Sequence, residues 1–269
     1  MLEITPLNQI TGVHAGGSVS INLPRGLSYE KIHFEHSGVT PAQIQNFRVE
    51  LNGRMLGEWR TLEEMRKEND YFKRPQGAGS TTLHFSRSEV KGVVNSDLVE
   101  QRFFALGTDG LSTIQIKFDI AQEAANPVIK ATAEKGAAAL PGWLFKRRTY
   151  RFNFAAGINE IDNIPRPIGA YIALIEIKKT GVTSAELLVD NVKWRDRISK
   201  GLHDQILQQR GRTPQADTHA IDLMLSGDIF ACLALTDSIK DLRLRIECTE
   251  GGSAEVVVHY FDNYAASSF

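Results

Sequence analysis

Two distant stretches of this chain repeat one another. "SGVTPAQIQNFRVELNG" runs from Ser37 to Gly53, and "TGVTSAELLVDN" runs from Thr180 to Asn191. The flanks repeat as well. Pro24-Arg25 precedes the first copy and Pro165-Arg166 the second, and Leu51-Asn52-Gly53 is matched by Val189-Asp190-Asn191. "TDGLSTIQIKFDI" from Thr108 is matched by "TDSIKDLRLRIEC" from Thr236, and the match continues to Val128-Ile129 and Val256-Val257. The blocks keep their order, and the spacing between partners drifts only by loop-sized steps. A self-match of this kind means one structural unit, here of about 130 residues, used twice.

Period-two alternation tells what that unit is made of. Val19, Ile21 and Leu23 alternate with polar neighbours, as do Phe47, Val49 and Leu51, and Ile114, Ile116, Phe118 and Ile120. The second half follows suit with Tyr150, Phe152 and Phe154, with Ile221, Leu223 and Leu225, and with Leu242, Leu244 and Ile246. Alternation buries one face of an antiparallel sheet and leaves the other polar. It predicts strands near 18–23, 29–36, 44–52, 54–59, 81–86, 99–106, 113–120 and 127–133. The second set falls near 149–155, 171–178, 184–190, 192–198, 219–225, 229–235, 241–248 and 254–261. Each set of eight is interrupted after its fourth strand by one helix. The first helix starts at Thr61, which stands three residues before Glu64 in capping-box spacing; the second runs from about Lys200 to Arg210 with Ser199 as cap and Leu202, Ile206 and Leu207 as its apolar face. Eight antiparallel strands closed into two sheets is a jelly roll. The expected fold class is therefore all-β, two tandem eight-stranded jelly-roll barrels with short crossover helices. The expected domains are an arm over 1–17, a first jelly roll over 18–140 and a second over 141–269.

Composition narrows the chemistry. The net charge is -1, with 31 basic and 32 acidic side chains. A nucleic-acid or anionic-membrane binder usually carries a basic excess, so no direct nucleic-acid binding is expected. Cys232 and Cys248 sit in apolar or alternating stretches and read as buried thiols. The start of the chain has Glu3 where an export signal would have basic residues, and no apolar segment follows, so synthesis in a reducing cytoplasm is expected.

Catalytic signatures are absent from the sequence: there is no nucleophile elbow, no phosphate loop and no His-Glu-x-x-His. His33 and His36 stand three apart, so a strand aims them at opposite faces and they cannot share a cupin-type metal. "GINEIDNI", Gly157 to Ile164, is a candidate calcium site through Asn159, Glu160 and Asp162, whose oxygens suit that ion; the bland alternative is a solvated strand end. "FKRR", Phe145 to Arg148, reads as a linker or as a contact for phosphates of lipid headgroups or an acidic neighbour. Trp59 and Trp194 stand in similar places in the two repeats, which suggests a shared packing role.

"GGSVSINLPRGLSYEKIHFE" (Gly16 to Glu35), "FRVELNGRMLGEWRTLEEMRKEND" (Phe47 to Asp70) and "RTYRFNF" (Arg148 to Phe154) carry a resemblance. The chain resembles the double jelly-roll major capsid proteins of tailless, membrane-containing icosahedral bacteriophages of the corticovirus type. The resemblance implies a structural protein rather than an enzyme, located in the virion capsid after synthesis in the host cytoplasm. It implies upright barrels, homotrimers that act as pseudo-hexagonal tiles, and an icosahedral shell around an internal membrane. Implied partners are neighbouring capsomers, vertex and membrane proteins of the virion, and lipid headgroups. The competing readings are a two-domain carbohydrate-binding jelly roll, using Trp59, Trp143 and Trp194, and a bicupin-type enzyme.

Overall fold

The computed structural model describes residues 2–7, 10–91 and 102–265. The chain divides into two compact units between Lys146 and Arg147, six residues beyond the expected boundary.

In the first unit one sheet has the order β1-β10-β4-β7. Its strands are β1 (Glu3–Pro6), β4 (Ser28–Ser37), β7 (Ser80–His84) and β10 (Val128–Gly136). A short β8 (Leu106–Gly107) also pairs with β4, beyond the end of β7. The facing sheet has the order β2-β3-β9-β5-β6, from β2 (Ile10–Thr11), β3 (Ser18–Asn22), β5 (Ile44–Leu51), β6 (Arg54–Thr61) and β9 (Ile114–Ile120). The helix α1 (Leu62–Tyr71) joins β6 to β7. Its cap forms as the spacing predicts: the Thr61 hydroxyl accepts from the Glu64 N–H at 3.3 Å, and the Glu64 carboxylate accepts from the Arg60 N–H at 2.7 Å. Alternation delivers the core. Ile32 and Phe34 from β4, Phe47 and Val49 from β5, and Ile116 and Phe118 from β9 are all at most 2% exposed. Phe34, Phe47 and Phe118 pack as an aromatic trio, with Phe47 stacked on Phe118 at 5.5 Å and edge-on to Phe34 at 5.3 Å.

The second unit repeats this plan. Its sheets have the orders β11-β19-β13-β16 and β12-β18-β14-β15. The strands are β11 (Trp143–Phe154), β12 (Gly157–Ile161), β13 (Tyr171–Lys178), β14 (Val182–Val189), β15 (Val192–Arg195), β16 (Thr218–Asp222), β17 (Leu233–Ala234), β18 (Leu242–Cys248) and β19 (Gly252–Asn263). β17 pairs with β13 as β8 pairs with β4. The helix α2 (Lys200–Gln209) occupies the place of α1. Of its expected apolar face only Leu207 is buried, and Leu202 is half exposed. The core is mostly aliphatic, with Ile177, Leu187, Leu244 and Ile246 fully enclosed and Phe154 and Tyr260 as aromatic members.

The strand inventory corrects the sequence reading in two places. Residues 3–6 do not belong to a free arm; they form β1 and complete the first sheet through β10. The segment 157–161 is a full strand, β12, paired with β18. β7 with β8, and β16 with β17, are each one interrupted strand on a single edge. With them counted once, each unit has its eight strands, and β2 is an addition along the edge of β3.

Candidate functional site

The repeated motifs are structural devices, and each does the same work in both units. Gly38 and Gly181 both have positive φ, 67° and 76°. A Cβ on Gly38 would lie 2.2 Å from the Asn126 carbonyl, and one on Gly181 would lie 2.6 Å from the Thr249 hydroxyl, so only glycine fits the turn that ends β4 and β13. The valine after each is buried. The Pro-Arg pairs place Arg25 on the Leu111 carbonyl at 3.4 Å and Arg166 on the Ile239 carbonyl at 3.2 Å. The hairpin residues match atom for atom. Asn52 Oδ1 accepts from the Ser112 and Thr113 N–H groups at 2.7 and 3.0 Å. Asp190 Oδ1 accepts from the Lys240 and Asp241 N–H groups at 2.8 Å each. Asn52-Gly53 and Asp190-Asn191 all have positive φ, the conformation of a tight hairpin turn. Even the bulge is duplicated, between Val49 and Glu50 in one hairpin and between Leu187 and Leu188 in the other. At one end of each unit, three loops are thereby tied together.

The tryptophans are not equivalent. Aligned on the shared turn and bulge, Gly57 opposes Val49 and Arg195 opposes Leu187, so Trp194 stands at the position of Leu56 and Arg197 at that of Trp59. Trp59 is buried against Phe47 and donates to Glu68 at 2.9 Å, whereas Trp194 is 40% exposed on the edge strand β15. The shared packing role expected from the sequence does not exist. What is shared is a buried arginine after each helix, bonded back to it through its own N–H: Arg74 to the Asn69 carbonyl and Arg212 to the Leu207 carbonyl. Arg74 meets Glu89 at 2.7 Å, within a network that includes Arg87 and Glu68. Burial brings the Arg87 guanidinium down to about 9, and it lies over the Phe145 ring. Arg212 meets Asp222 at 2.7 Å and also donates to the Met224 carbonyl at 3.1 Å.

Of the three calcium candidates, Asn159 and Glu160 lie on β12 and Asp162 stands one residue beyond its end. Asn159 accepts from the Ala155 N–H at 2.8 Å and donates to the Ala155 and Gly157 carbonyls. Glu160 pairs across the strand with Arg245 and also reaches Arg243. Asp162 lies beyond the end of β12, exposed. Among the described residues no group of three or more His, Cys, Asp and Glu side chains could hold a metal ion. His33 and His36 face opposite sides of β4 as expected: His33 bonds Thr82 and Glu134 on the outer face, while burial lowers the His36 imidazole. The "FKRR" run is not a solvated linker. It lies in β11, where Lys146 and Arg147 are 6% and 2% exposed and Arg148 is partly exposed. Cys232 and Cys248 are free and buried; burial pushes the Cys232 thiol up to about 12.

Two exposed phenylalanines stand in matched turns of the two units. Just before β8 the turn at Arg102–Ala105 exposes Phe103 (50%), and just before β17 the turn at Ile229–Cys232 exposes Phe230 (78%). Both turns close with the same bond, Ala105 N–H to Arg102 and Cys232 N–H to Ile229. The available signal was a phenylalanine at the same distance before each half-strand, which the alternation reading absorbed into β-strands at 99–106 and 229–235. In the first unit Phe103 borders a cleft of about 510 Å³ lined also by Leu2, Ala137, Ala138, Ala139 and Leu140.

Two eight-stranded jelly rolls in tandem, with repeated loop clamps, define a double jelly-roll protein. The comparisons specify which. Residues 4–136 match the viral coat protein P2 N-terminal domain and residues 145–264 match the viral coat protein P2 C-terminal domain. The chain belongs to the viral coat protein P2 family. It is 46% identical over 269 residues, the whole of both chains, to the major capsid protein P2 of Pseudoalteromonas phage PM2. The crystal structure of that PM2 protein superposes with a TM-score of 0.96 at 45% identity, covering 98% of each chain. The STIV major capsid protein, from Sulfolobus Turreted Icosahedral Virus, superposes with a TM-score of 0.71 at 12% identity over 97% of this chain and 96% of its own, a likeness of fold.

Proposed function

We propose that this chain is the major capsid protein of a virion and that three copies form one pseudo-hexagonal tile of an icosahedral shell around an internal membrane. The observation that carries the reading is the depth of the duplication. Turn glycine, arginine latch, hairpin clamp and bulge recur at matched positions in both units, while the cores and the helix faces have diverged. A chain with two like barrels presents similar edges twice. Three such chains present six, so comparable contacts tessellate with half the number of polypeptides. Vertex proteins, membrane proteins of the virion and lipid headgroups are the further partners this reading assigns. Lys146 and Arg147 are buried, so within the "FKRR" run the reading assigns any headgroup contact to the partly exposed Arg148.

Light scattering on the purified protein tests the tile. A stable species of three 29.9 kDa chains supports it, and a monomer at every concentration overturns it.

A further inference from the structure

The two exposed phenylalanines occupy equivalent turns but differ in surroundings. Phe103 lies against Trp143, with ring centroids 6.4 Å apart, and against Phe104 at 5.4 Å. It forms a wall of the cleft whose floor is the alanine run 137–139 and whose lip is Leu140, 71% exposed. Phe230 stands out instead: it is 78% exposed on a turn capped by Asp228, whose carboxylate accepts from the Phe230 N–H at 2.8 Å. One unit therefore has a hollow of mixed lining, with Leu2, Phe103 and Leu140 beside Ser28, Glu30 and Arg102, and the other an apolar knob. The knob is not seated in its own chain, as its exposure shows.

We infer that Phe230 of one copy of this chain seats in the Leu2–Phe103–Leu140 cleft of a neighbouring copy. An aromatic side chain entering a preformed hollow is the usual anchor of a protein–protein contact. The cleft has the size of sites that enclose small ring-bearing groups. Charge agrees with the pairing: the exposed carboxylate of Asp228 accompanies the knob, and Arg102, about half exposed and 2.9 Å from Glu30, stands on the rim of the hollow. Rim charges of opposite sign set register and approach. One cation and one carboxylate on the rim do not make the basic cluster that an anionic lipid surface selects. A contact between two different surfaces of identical chains is heterologous, and it closes into a ring when its rotation permits. This inference rests on the tile reading and names one contact that holds tiles or their subunits together.

Three variants test it: Phe230→Asp removes the knob, Ala138→Trp fills the hollow, and Val192→Asp is a control at another exposed apolar position, 63% accessible. Thermal melts establish that each is folded. Sedimentation across a concentration series then reads self-association, and co-flotation with phosphatidylglycerol vesicles reads lipid binding. The expected result is that Phe230→Asp and Ala138→Trp each raise the midpoint of assembly at least about tenfold, as loss of an anchor does. The double variant should be no worse than the more severe single one, and Val192→Asp should leave the midpoint unchanged. Wild-type protein that assembles while Phe230→Asp assembles at the same midpoint overturns the inference and leaves the tile intact. So do penalties that simply add in the double variant, or a Phe230→Asp defect confined to vesicle binding. A wild-type protein that never associates overturns the tile reading with it.

Discussion

The first jelly roll is built around phenylalanine and the second around branched aliphatics. Phe34, Phe47 and Phe118 form the aromatic trio of the first core. Aligned through the shared turns, bulge and strand pairing, their places in the second unit are taken by Ile177, Ala185 and Ile246, all buried. Yet the hairpin bulge and the loop clamps are the same in both. The difference teaches where the architecture is specified. A core has to be filled, and many combinations of apolar side chains fill it. A positive-φ turn and a pair of backbone N–H groups needing one acceptor admit few residues. Copies therefore drift in the core and stay fixed at the loops.

That contrast can be broken by mutation. The largest effect is expected from Phe47→Ala, which empties the centre of the aromatic trio and should cost about 3–5 kcal/mol in the first unit. The second unit already has alanine, Ala185, at that place. A urea titration followed by hydrogen exchange should show early loss of protection in the first unit with the second unchanged. Equal loss in both would show that the cores are not independent.

Next are the buried arginines. Asp222→Ala leaves the Arg212 guanidinium enclosed without its carboxylate, a change that costs about 3–5 kcal/mol in buried pairs. Glu89→Ala should cost less, because Glu68 stands 3.9 Å from Arg74 and 3.8 Å from Arg87 and retains part of the field. Paired thermal melts of the two variants test the ranking.

The third contrast is in pH. Burial pushes the Glu176 carboxyl up, but Lys178, the hydrogen bond and charge of His259, and Arg147 together outweigh it and bring it down to about 2. A carboxylate depressed on folding contributes stability that is present above its unfolded value, near 4.5, and is lost as pH falls toward 2. The urea midpoint of wild type minus that of Glu176→Gln should therefore shrink through this window. A difference that stays constant would show that Glu176 is not depressed.

The smallest effect is expected at the loop clamps. Asn52→Ala and Asp190→Ala each remove two side-chain hydrogen bonds at an exposed loop end and place alanine at positive φ. Each should cost about 1–3 kcal/mol, and the two penalties should be similar because the clamps are alike. Unequal penalties would mean that the duplicated clamps no longer do the same work.

Much of this was legible in the sequence, for physical reasons that also mark where it failed. Strands with one buried face announce themselves, so β3, β4, β5, β9, β10, β13, β18 and β19 stand where alternation places them. Two errors cancelled in each set of eight. The halves of an interrupted strand, 81–86 with 99–106 and 219–225 with 229–235, were counted as two, and one true strand was left out. In the first unit that was β1, whose "EITP" has no buried residue and is a strand only because the edge of β10 pairs with it. In the second it was β12. Through its pairing with β18, Ile161 takes the place of Ile21, Glu160 that of Ser20 and Asn159 that of Val19. A polar residue on the usual core face erased the alternation that would have marked the segment as a strand. The tryptophans misled for a related reason: "GEWR" and "VKWR" resemble each other as letters, but counting from the shared turn displaces one from the other. The exposed phenylalanines could not be read at all, since alternation treats every phenylalanine as core.

The central claim is that one barrel plan, used twice, makes a tile with six similar parts. Electron microscopy of the purified oligomer, averaged down its symmetry axis without imposed symmetry, tests this most directly. Six barrel-sized densities in a ring, alternating between two slightly different kinds, are expected. Single chains, or an oligomer whose averaged view is not a six-part ring, would contradict it.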